Sequence, residues 1–442
     1  MKKILLIGNG SREHALAEAF KKNRDVSLVV YAKSVNPGIQ ALADAYEIGD
    51  LMDLAHVRAF AVAQKVDFAF CGPEDPIAAG MADELEKASI RSCFPKKLPA
   101  QLESSKAFTR NLVTKYAIPG NPLFQVFTGE NSVAMQQVME AFVQKVSGNF
   151  VVKADSLRGG KGVKVSGDHF ITSQEGLAYA RECVAEDGRV VLEEKFIGQE
   201  FSLMSFCDGK TAVHMPAIQD HKRALNGDKG PNTGGMGTYC DANSSLPFLT
   251  PGDLEAAGKI NQQVLDAVFQ ETGVPFCGIL YGGFIALKNG VGLIEYNVRF
   301  GDPEVMNALS VLETDFVSVC EAMMHGTLDQ LPLSFAKKAT VCKYVVPDGY
   351  PDAPVKDVPV TVGSLPDGAQ LYYGSVDLKD GELLLCGSRA IAVLGSGTTL
   401  EKAQEVAEKG ACAITGPVFH RSDVGTSALI DHRVQMMHQI RA

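Results

Sequence analysis

The chain has 442 residues, 46% of them apolar, with a formal charge of −10 and a mean hydropathy near zero. Such a chain holds two to four well-cored domains. It has no membrane-length apolar run, and its acidity opposes a general nucleic-acid or membrane-surface binder. Ten scattered cysteines show no C-x-x-C spacing, so buried free thiols in a reducing cytoplasm are expected, not a zinc finger or a disulfide framework.

The first elements are strand Lys3–Ile7, a glycine turn at Gly8–Gly10, a helix over Ala15–Lys22, and strands Val26–Ala32 and Asp67–Cys71. This alternation predicts an α/β fold opening on a doubly wound parallel sheet. The turn is not a dinucleotide fingerprint: Glu13 stands where the third glycine belongs, and the second strand ends in Tyr31-Ala32-Lys33 without the ribose-binding acid. Backbone amides at Gly10, Ser11 and Arg12 suit a single phosphate at a helix N-terminus. Glu74, in Gly72-Pro73-Glu74-Asp75-Pro76 after the next strand, is expected to line the same crevice.

A helix begins near Ser104-Ser105-Lys106, and Ile118–Pro122 breaks the chain. After helix Ser132–Lys145 and strand Phe150–Lys153 comes Ser156-Leu157-Arg158-Gly159-Gly160-Lys161-Gly162, then strand Val163–Val165. A glycine-rich loop between two strands is not a Walker loop. It can still fold over nucleotide phosphates with backbone amides and Lys161 as donors. Strand Arg189–Leu192 runs into Glu193-Glu194-Lys195-Phe196, which suits either a charged helix or loop start or an exposed edge for an adenine with Glu200 in reach of a ribose.

A hairpin of Ser202–Phe206 and Thr211–Met215 precedes Gln219-Asp220-His221-Lys222-Arg223 and a long glycine-rich polar loop, Asn226–Gly237. Loops of that length are usually functional, and Lys222-Arg223 suits phosphate. Helix Pro251–Thr272 leads to two apolar runs joined by Lys288-Asn289-Gly290, a hairpin signal. At period two, Ile294, Tyr296, Val298 and Phe300 share one face of the second strand. Glu295, Asn297 and Arg299 share the other, roughly 7 Å apart. Glu and Asn offer hard oxygen ligands for Mg²⁺ beside phosphates, and Arg299 suits an anion that gains charge during reaction. Gly301-Asp302-Pro303 then adds a carboxylate. Strands at Ala339–Val346, Gln370–Gly374, Glu382–Cys386 and Ala390–Gly395, helix Thr399–Ile414 and a turn at Phe419–Gly425 complete the chain with no expected chemistry of their own.

The motifs GNGSREHAL, GPEDPI, QLESSKAF, KADSLRGGKGV, EEKFIGQEFS, QDHKR, GPNTGGMG and EYNVRFGDPE follow one another in this order. On them the chain resembles the glycinamide ribonucleotide synthetase (phosphoribosylamine–glycine ligase) family over essentially its whole length. The resemblance implies an N-terminal doubly wound domain (1–102), an ATP-grasp central domain (103–122 and 193–330) with a small lid (123–192), and a C-terminal α+β domain (331–442). It implies an ATP-dependent ligase joining glycine to phosphoribosylamine in purine biosynthesis, through glycyl phosphate. An ATP-grasp ligase with other substrates is the alternative.

For the site, the resemblance implies that ATP meets Lys106, Lys153, Gly160, Lys161, Glu193, Glu194, Lys195, Phe196 and Glu200. Mg²⁺ or Mn²⁺ would meet Glu295 and Asn297. Arg299, Asp302 and Asp220 would serve the reacting centre. Gly10, Ser11, Arg12, Glu74, Lys222, Arg223, Asn232, Thr233 and Gly234 would hold phosphoribosylamine. A cytoplasmic monomer or weak homodimer, acting on small molecules and on neither nucleic acid nor membrane, is expected. The chain departs from the family's usual residues at Ser11, at Asn36–Ile39, at Ser156 and Arg158-Gly159, and at Val305-Met306-Asn307.

Overall fold

A computed structural model describes residues 1–129, 132–159 and 162–442. Gly160 and Lys161 lie outside the described residues. The N-terminal sheet is wholly parallel, in the order Ala45–Ile48, Val26–Ala32, Lys2–Ile7, Phe68–Cys71, Arg91–Ser92. Every residue of Val26–Ala32 is buried, as the continuous apolar runs require of a sheet covered on both faces. The chain leaves strand Lys2–Ile7 to one side and later returns on the other, so the crevice opens beyond the ends of Ile7 and Cys71. The turns Gly8–Arg12 and Gly72–Glu74 meet there.

Glu13 folds back into that crevice. Its carboxylate accepts from Gly10 N at 2.5 Å, and a Cβ on Gly72 would lie 1.8 Å from its Oε1. A carboxylate therefore fills the turn that a dinucleotide's pyrophosphate would need. The helix starts at Ser11, four residues earlier than its apolar pattern suggests, because Gly10 caps it with Glu13.

Two antiparallel sheets follow. One, ordered Phe124–Thr128, Arg189–Glu194, Phe150–Ala154, Val163–Val165, is backed by helices Val133–Lys145 and Ser173–Asp187. It has its own small core around Met139, Phe150, Leu177 and Leu192. The other is ordered Ala212–His214, Gln199–Asp208, Cys277–Ala286, Val291–Asn297, with helix Pro251–Thr272 packed on it. Their facing edges form the cleft.

The C-terminal sheet takes strands Gln219–Asp220 and Gly237–Cys240 from the middle of the chain and adds Ala339–Pro347, Ile391–Gly397, Ala369–Tyr373 and Val418–His420. Helix Leu400–Cys412 covers it so closely that a Cβ on Gly395 would sit 2.3 Å from Ala403 O. Asn226–Gly237 is less open than expected. Arg223–Leu225 and Lys229–Asn232 pair as a short hairpin, and Gly237 already begins the next strand. Among the described residues no helix is long and apolar enough to cross a membrane.

Candidate active site

Strand Val291–Asn297 carries the polar row, with one irregularity. Leu293 pairs with Phe284 and Glu295 with Gly283, so Ile294 is a bulge without a ladder partner. The expected alternation therefore holds from Glu295 onward: Tyr296, Val298 and Phe300 are buried, while Glu295, Asn297 and Arg299 are only partly so. The bulge frees a carbonyl. Ile294 O accepts from Lys153 Nζ and Arg110 Nη2, each at 2.6 Å, and Leu293 O accepts from Arg110 Nη1 at 2.9 Å. Lys153 thus reaches from one sheet to the other across the base of the cleft.

Burial alone would raise the Glu295 carboxyl, but Lys222, Lys153, Lys106 and Arg299 together hold it below its ordinary range. Among the described residues neither Glu295 nor Asn297 makes a side-chain hydrogen bond or ion pair. An ionised carboxylate and an amide oxygen on one strand face, with lysines around them, are a hard-oxygen donor set. That set fits Mg²⁺ or Mn²⁺ shared with phosphate oxygens. Lys106 follows the helix cap at Ser105, and its Nζ reaches the carbonyls of Glu103 at 3.2 Å and Ser156 at 3.4 Å.

The adenine-edge residues are placed differently from expectation. Glu193 is buried and gripped by Arg110 at 2.6 and 2.8 Å and by Lys153 at 2.9 Å, so its side chain is not free for a base edge. Glu194 accepts from Leu123 N at 2.8 Å, and Lys195 donates to Ser166 O at 2.7 Å and Asp168 at 3.0 Å. What stays open is the backbone past Lys195 N, which itself donates to Asn149 O at 3.0 Å. Lys195–Ile197 lies outside any strand, and the Phe196 ring packs so tightly on Gly292 that a Cβ there would meet it at 2.5 Å. Glu200 pairs with Lys222 at 2.9 Å and keeps that lysine charged.

At the other end Arg299 donates toward Glu103 at 3.1 Å and faces Glu74 at 3.4 Å, while Arg12 lies 3.8 Å from Glu74. Both guanidiniums also reach Phe300 O, at 3.1 Å from Arg299 and 3.2 Å from Arg12. The Arg299 charge above all, then Arg12 against the cost of burial, brings the Glu74 carboxyl down to about 2. The two glycine turns and the polar strand therefore meet, as the sequence suggests.

Asp302 is bound by more of the chain than expected. Tyr344 donates a short hydrogen bond to it, Ser11 Oγ lies 3.3 Å away, and Arg389 Nη2 is at 3.2 Å. Arg389 also donates to the carbonyls of Gly234, Gly235 and Asp302 at 2.7, 3.1 and 2.7 Å and stacks 4.5 Å above the Tyr344 ring. Tyr344 and Arg389 come from the C-terminal region, which sequence reasoning left without a role. No local signal marks them: Tyr344 sits in an apolar strand and Arg389 is a single cation before another. Glu103 stands in QLESSKAF, three residues before Lys106, where only its meeting with Arg299 in the fold gives it a role.

Asp220 lies behind Gly235. Its Oδ1 is buried without a hydrogen-bond partner among the described residues, and burial, then Glu304, pushes its carboxyl well up. Thr233 Oγ1 donates to Lys222 O at 2.9 Å and accepts from Gly235 N at 3.0 Å, shaping this loop. Arg223 and Asn232 stand elsewhere. Arg223 pairs with Asp168 at 3.2 Å and Asn232 meets His169 at 3.1 Å, so both face the small sheet's edge rather than the N-terminal turns.

Comparison with known proteins agrees with this layout. Three family models match in succession: phosphoribosylglycinamide synthetase N domain over residues 2–103, its ATP-grasp (A) domain over 104–305 and its C domain over 340–427. The phosphoribosylamine–glycine ligase of Methanosarcina barkeri is 48% identical over 440 residues, covering 99% of this chain and 100% of that protein. The enzyme of that name from Methanocaldococcus jannaschii is 44% identical over 450 residues, with 99% and 100% covered. The crystal structure of the phosphoribosylamine–glycine ligase of Thermotoga maritima superposes with a TM-score of 0.80 at 26% identity, covering 95% of this chain and 99% of that one. The MgADP-bound biotin carboxylase domain of the Hydrogenobacter thermophilus 2-oxoglutarate carboxylase, at 15% identity and a TM-score of 0.72 over 99% of this chain and 94% of that one, shares the fold alone. With all three of its parts matched in order, the chain belongs to the phosphoribosylglycinamide synthetase family.

Proposed function

We infer that this chain is an ATP-dependent carbon–nitrogen ligase that joins glycine to 5-phosphoribosylamine, giving glycinamide ribonucleotide, ADP and phosphate in purine biosynthesis. The observation that carries the reading is Glu295 with Asn297: ringed by cations, held ionised, and bonded to no protein donor among the described residues. Whole-length relatives of that activity support it.

In the first half-reaction a glycine carboxylate oxygen attacks the γ-phosphorus of ATP. The bond to the β-phosphate oxygen breaks, ADP departs, and glycyl phosphate remains. In the second, the 1-amino group of phosphoribosylamine attacks the acyl carbon, phosphate leaves, and the nitrogen gives up a proton. Glu295 and Asn297 would hold Mg²⁺ or Mn²⁺, which would neutralise phosphate charge and orient the transferred group.

The protein's own part is positioning and electrostatics. Lys106 and Lys153 line the phosphate end, joined in this proposal by Gly160 and Lys161. The backbone just past Lys195 N, at Phe196, takes the base edge, beside Glu193 and Glu194, and Glu200 takes the ribose. Arg299 holds the carboxylate that becomes the acyl phosphate. Asp220, whose Oδ1 is buried without a hydrogen-bond partner among the described residues, faces the glycine ammonium. Ser11, Arg12 and Glu74 receive the ribose phosphate end, with Lys222, Thr233 and Gly234 closing from the opposite side, while Gly10 is taken up by Glu13, and Arg223 and Asn232 by Asp168 and His169. Asp302 holds the two ends in register.

We further propose the division 1–102, 103–122 with 193–330, 123–192 as lid, and 331–442. We propose a monomer or weak homodimer as well. Ten free thiols suit a reducing cytoplasm. The test is ADP release with glycine and freshly generated phosphoribosylamine, each omitted in turn. Sustained turnover is expected only with both. Equal ADP release without the amine, or with a different amine in its place, overturns the substrate assignment.

A further inference from the structure

Far along the chain from the polar strand, the C-terminal region gathers three side chains of a different chemistry. Glu408 and Cys412 are four residues apart on helix Leu400–Cys412, hence on one face, and His420 ends the strand Val418–His420 beside it. One ligand atom from each lies within 4.8 Å of the other two, and among the described residues this is the group of three that converges so. His420 Nε2 is 3.1 Å and Cys412 Sγ 3.8 Å from the same oxygen, Glu408 Oε1. A tetrahedral ion with zinc-like bond lengths would set such edges at about 3.4 to 3.6 Å, so small side-chain movements suffice.

The surroundings prepare the carboxylate. Its second oxygen is taken by Lys343 Nζ at 2.5 Å. That lysine is fully buried, and it also donates to the carbonyls of Ser422 at 2.8 Å and Arg421 at 3.4 Å, so its three protons are committed. It orients Oε2 and leaves Oε1 toward Cys412 and His420, as a supporting shell does for a ligand. Cys412 is exposed and the other two are half-buried, leaving an entry path and room for a water as fourth ligand.

We propose that Glu408, Cys412 and His420 form a divalent transition-metal site of zinc-like preference, separate from the hard-oxygen pair at Glu295 and Asn297. Nitrogen, sulfur and one carboxylate oxygen select a softer ion than Mg²⁺. Its occupancy ties the helix to the strand directly before Arg421. Arg421 holds the Arg223–Asn232 hairpin by Arg223 O at 3.1 Å and Asp228 at 2.9 Å. A metal here therefore braces the base of a loop that borders the cleft.

The test is titration of the chelator-treated full chain with Co²⁺ in excess Mg²⁺, read by absorbance. The expected result is one equivalent bound, with a thiolate-to-cobalt charge-transfer band in the near ultraviolet and strong visible bands, both abolished by Zn²⁺. C412S should lose the charge-transfer band, and H420N should weaken binding by at least the roughly tenfold to hundredfold that even an outer-shell change costs. C386S, which removes the other exposed thiol, should keep the band. Zn²⁺ should raise the melting temperature of the parent chain and leave that of C412S unmoved, while the two metal-free chains melt alike. Absence of the band at millimolar Co²⁺, or its survival in C412S, overturns the proposal.

Discussion

Glu193 and Glu295 sit on neighbouring strands of the two facing sheets, and both are ringed by cations, yet they are built for different ends. Glu193 is saturated: Arg110 takes both of its oxygens, Lys153 takes one, and nothing is left to bind a ligand. Glu295 feels Lys222, Lys153, Lys106 and Arg299 without bonding to any of them. Lys153 belongs to both settings, since it pairs with Glu193 and donates to Ile294 O beside Glu295. The saturated carboxylate locks the sheets together, and the unsaturated one is held ionised with its bonding capacity unspent. Charge among cations does not mark a functional residue; unspent bonding capacity does.

The sharpest way to break this contrast is to remove each carboxylate. Glu193→Ala strands Arg110 and Lys153 as buried charges and is expected to cost about 3–5 kcal/mol of stability, read as a shift of the denaturant midpoint. An unshifted midpoint would remove its structural role. Glu295→Ala is expected to keep the parent midpoint while ADP release falls roughly 10²–10³-fold and the Mg²⁺ requirement rises. Undiminished turnover in that variant would put the metal elsewhere.

Tyr344→Phe sharpens the contrast at a distance. It removes the short hydrogen bond to Asp302 without touching either carboxylate. A loss of about 1.5–3 kcal/mol in kcat/KM for the amine is expected, with folding intact. If only stability changes, the C-terminal strand merely packs.

Two pH effects are smaller. Glu74 falls from 4.5 to about 2 on folding, so its contribution is complete above pH 4.5 and is lost as pH drops through 2. Glu74→Gln should flatten the acid limb of stability in that window. His14 is buried, and burial lowers it from 6.5 to about 4. Its Nδ1 accepts from Tyr373 N at 2.9 Å, which requires an unprotonated ring nitrogen. The unfolded chain binds the extra proton first, so stability should fall as pH drops from 6.5 to 4. His14→Gln should lessen that slope in melts at stepped pH. An unchanged slope assigns it to other groups, His221 among them, which burial also lowers to about 4.

Much of this was legible in the chain itself, and the failures share a cause. Apolar runs closed by glycine turns predict the parallel sheet, and Lys288-Asn289-Gly290 predicts the hairpin that presents Glu295. These signals are local. The bulge at Ile294 has no local mark, because it arises from how Gly283 and Phe284 register opposite it. Glu193 reads as an exposed strand end until Arg110, 83 residues earlier, is placed against it. Arg389 reads as an ordinary surface cation until the fold lays it on Asp302, 87 residues before it. Side chains whose partners lie far along the sequence carry their meaning in the fold, which periodicity cannot report.

The grip on Asp302 has a consequence for how the protein comes into being. Its contacts span Ser11, in the turn of the N-terminal sheet, and Arg389, beside a strand of the C-terminal sheet. A nascent polypeptide lacking its last fifth has no complete set of groups around that residue, whatever else has folded. Synthesis must run past Arg389 before this set of contacts closes, so fragments cut between Ser11 and Arg389 are expected to be inert even when each is well ordered.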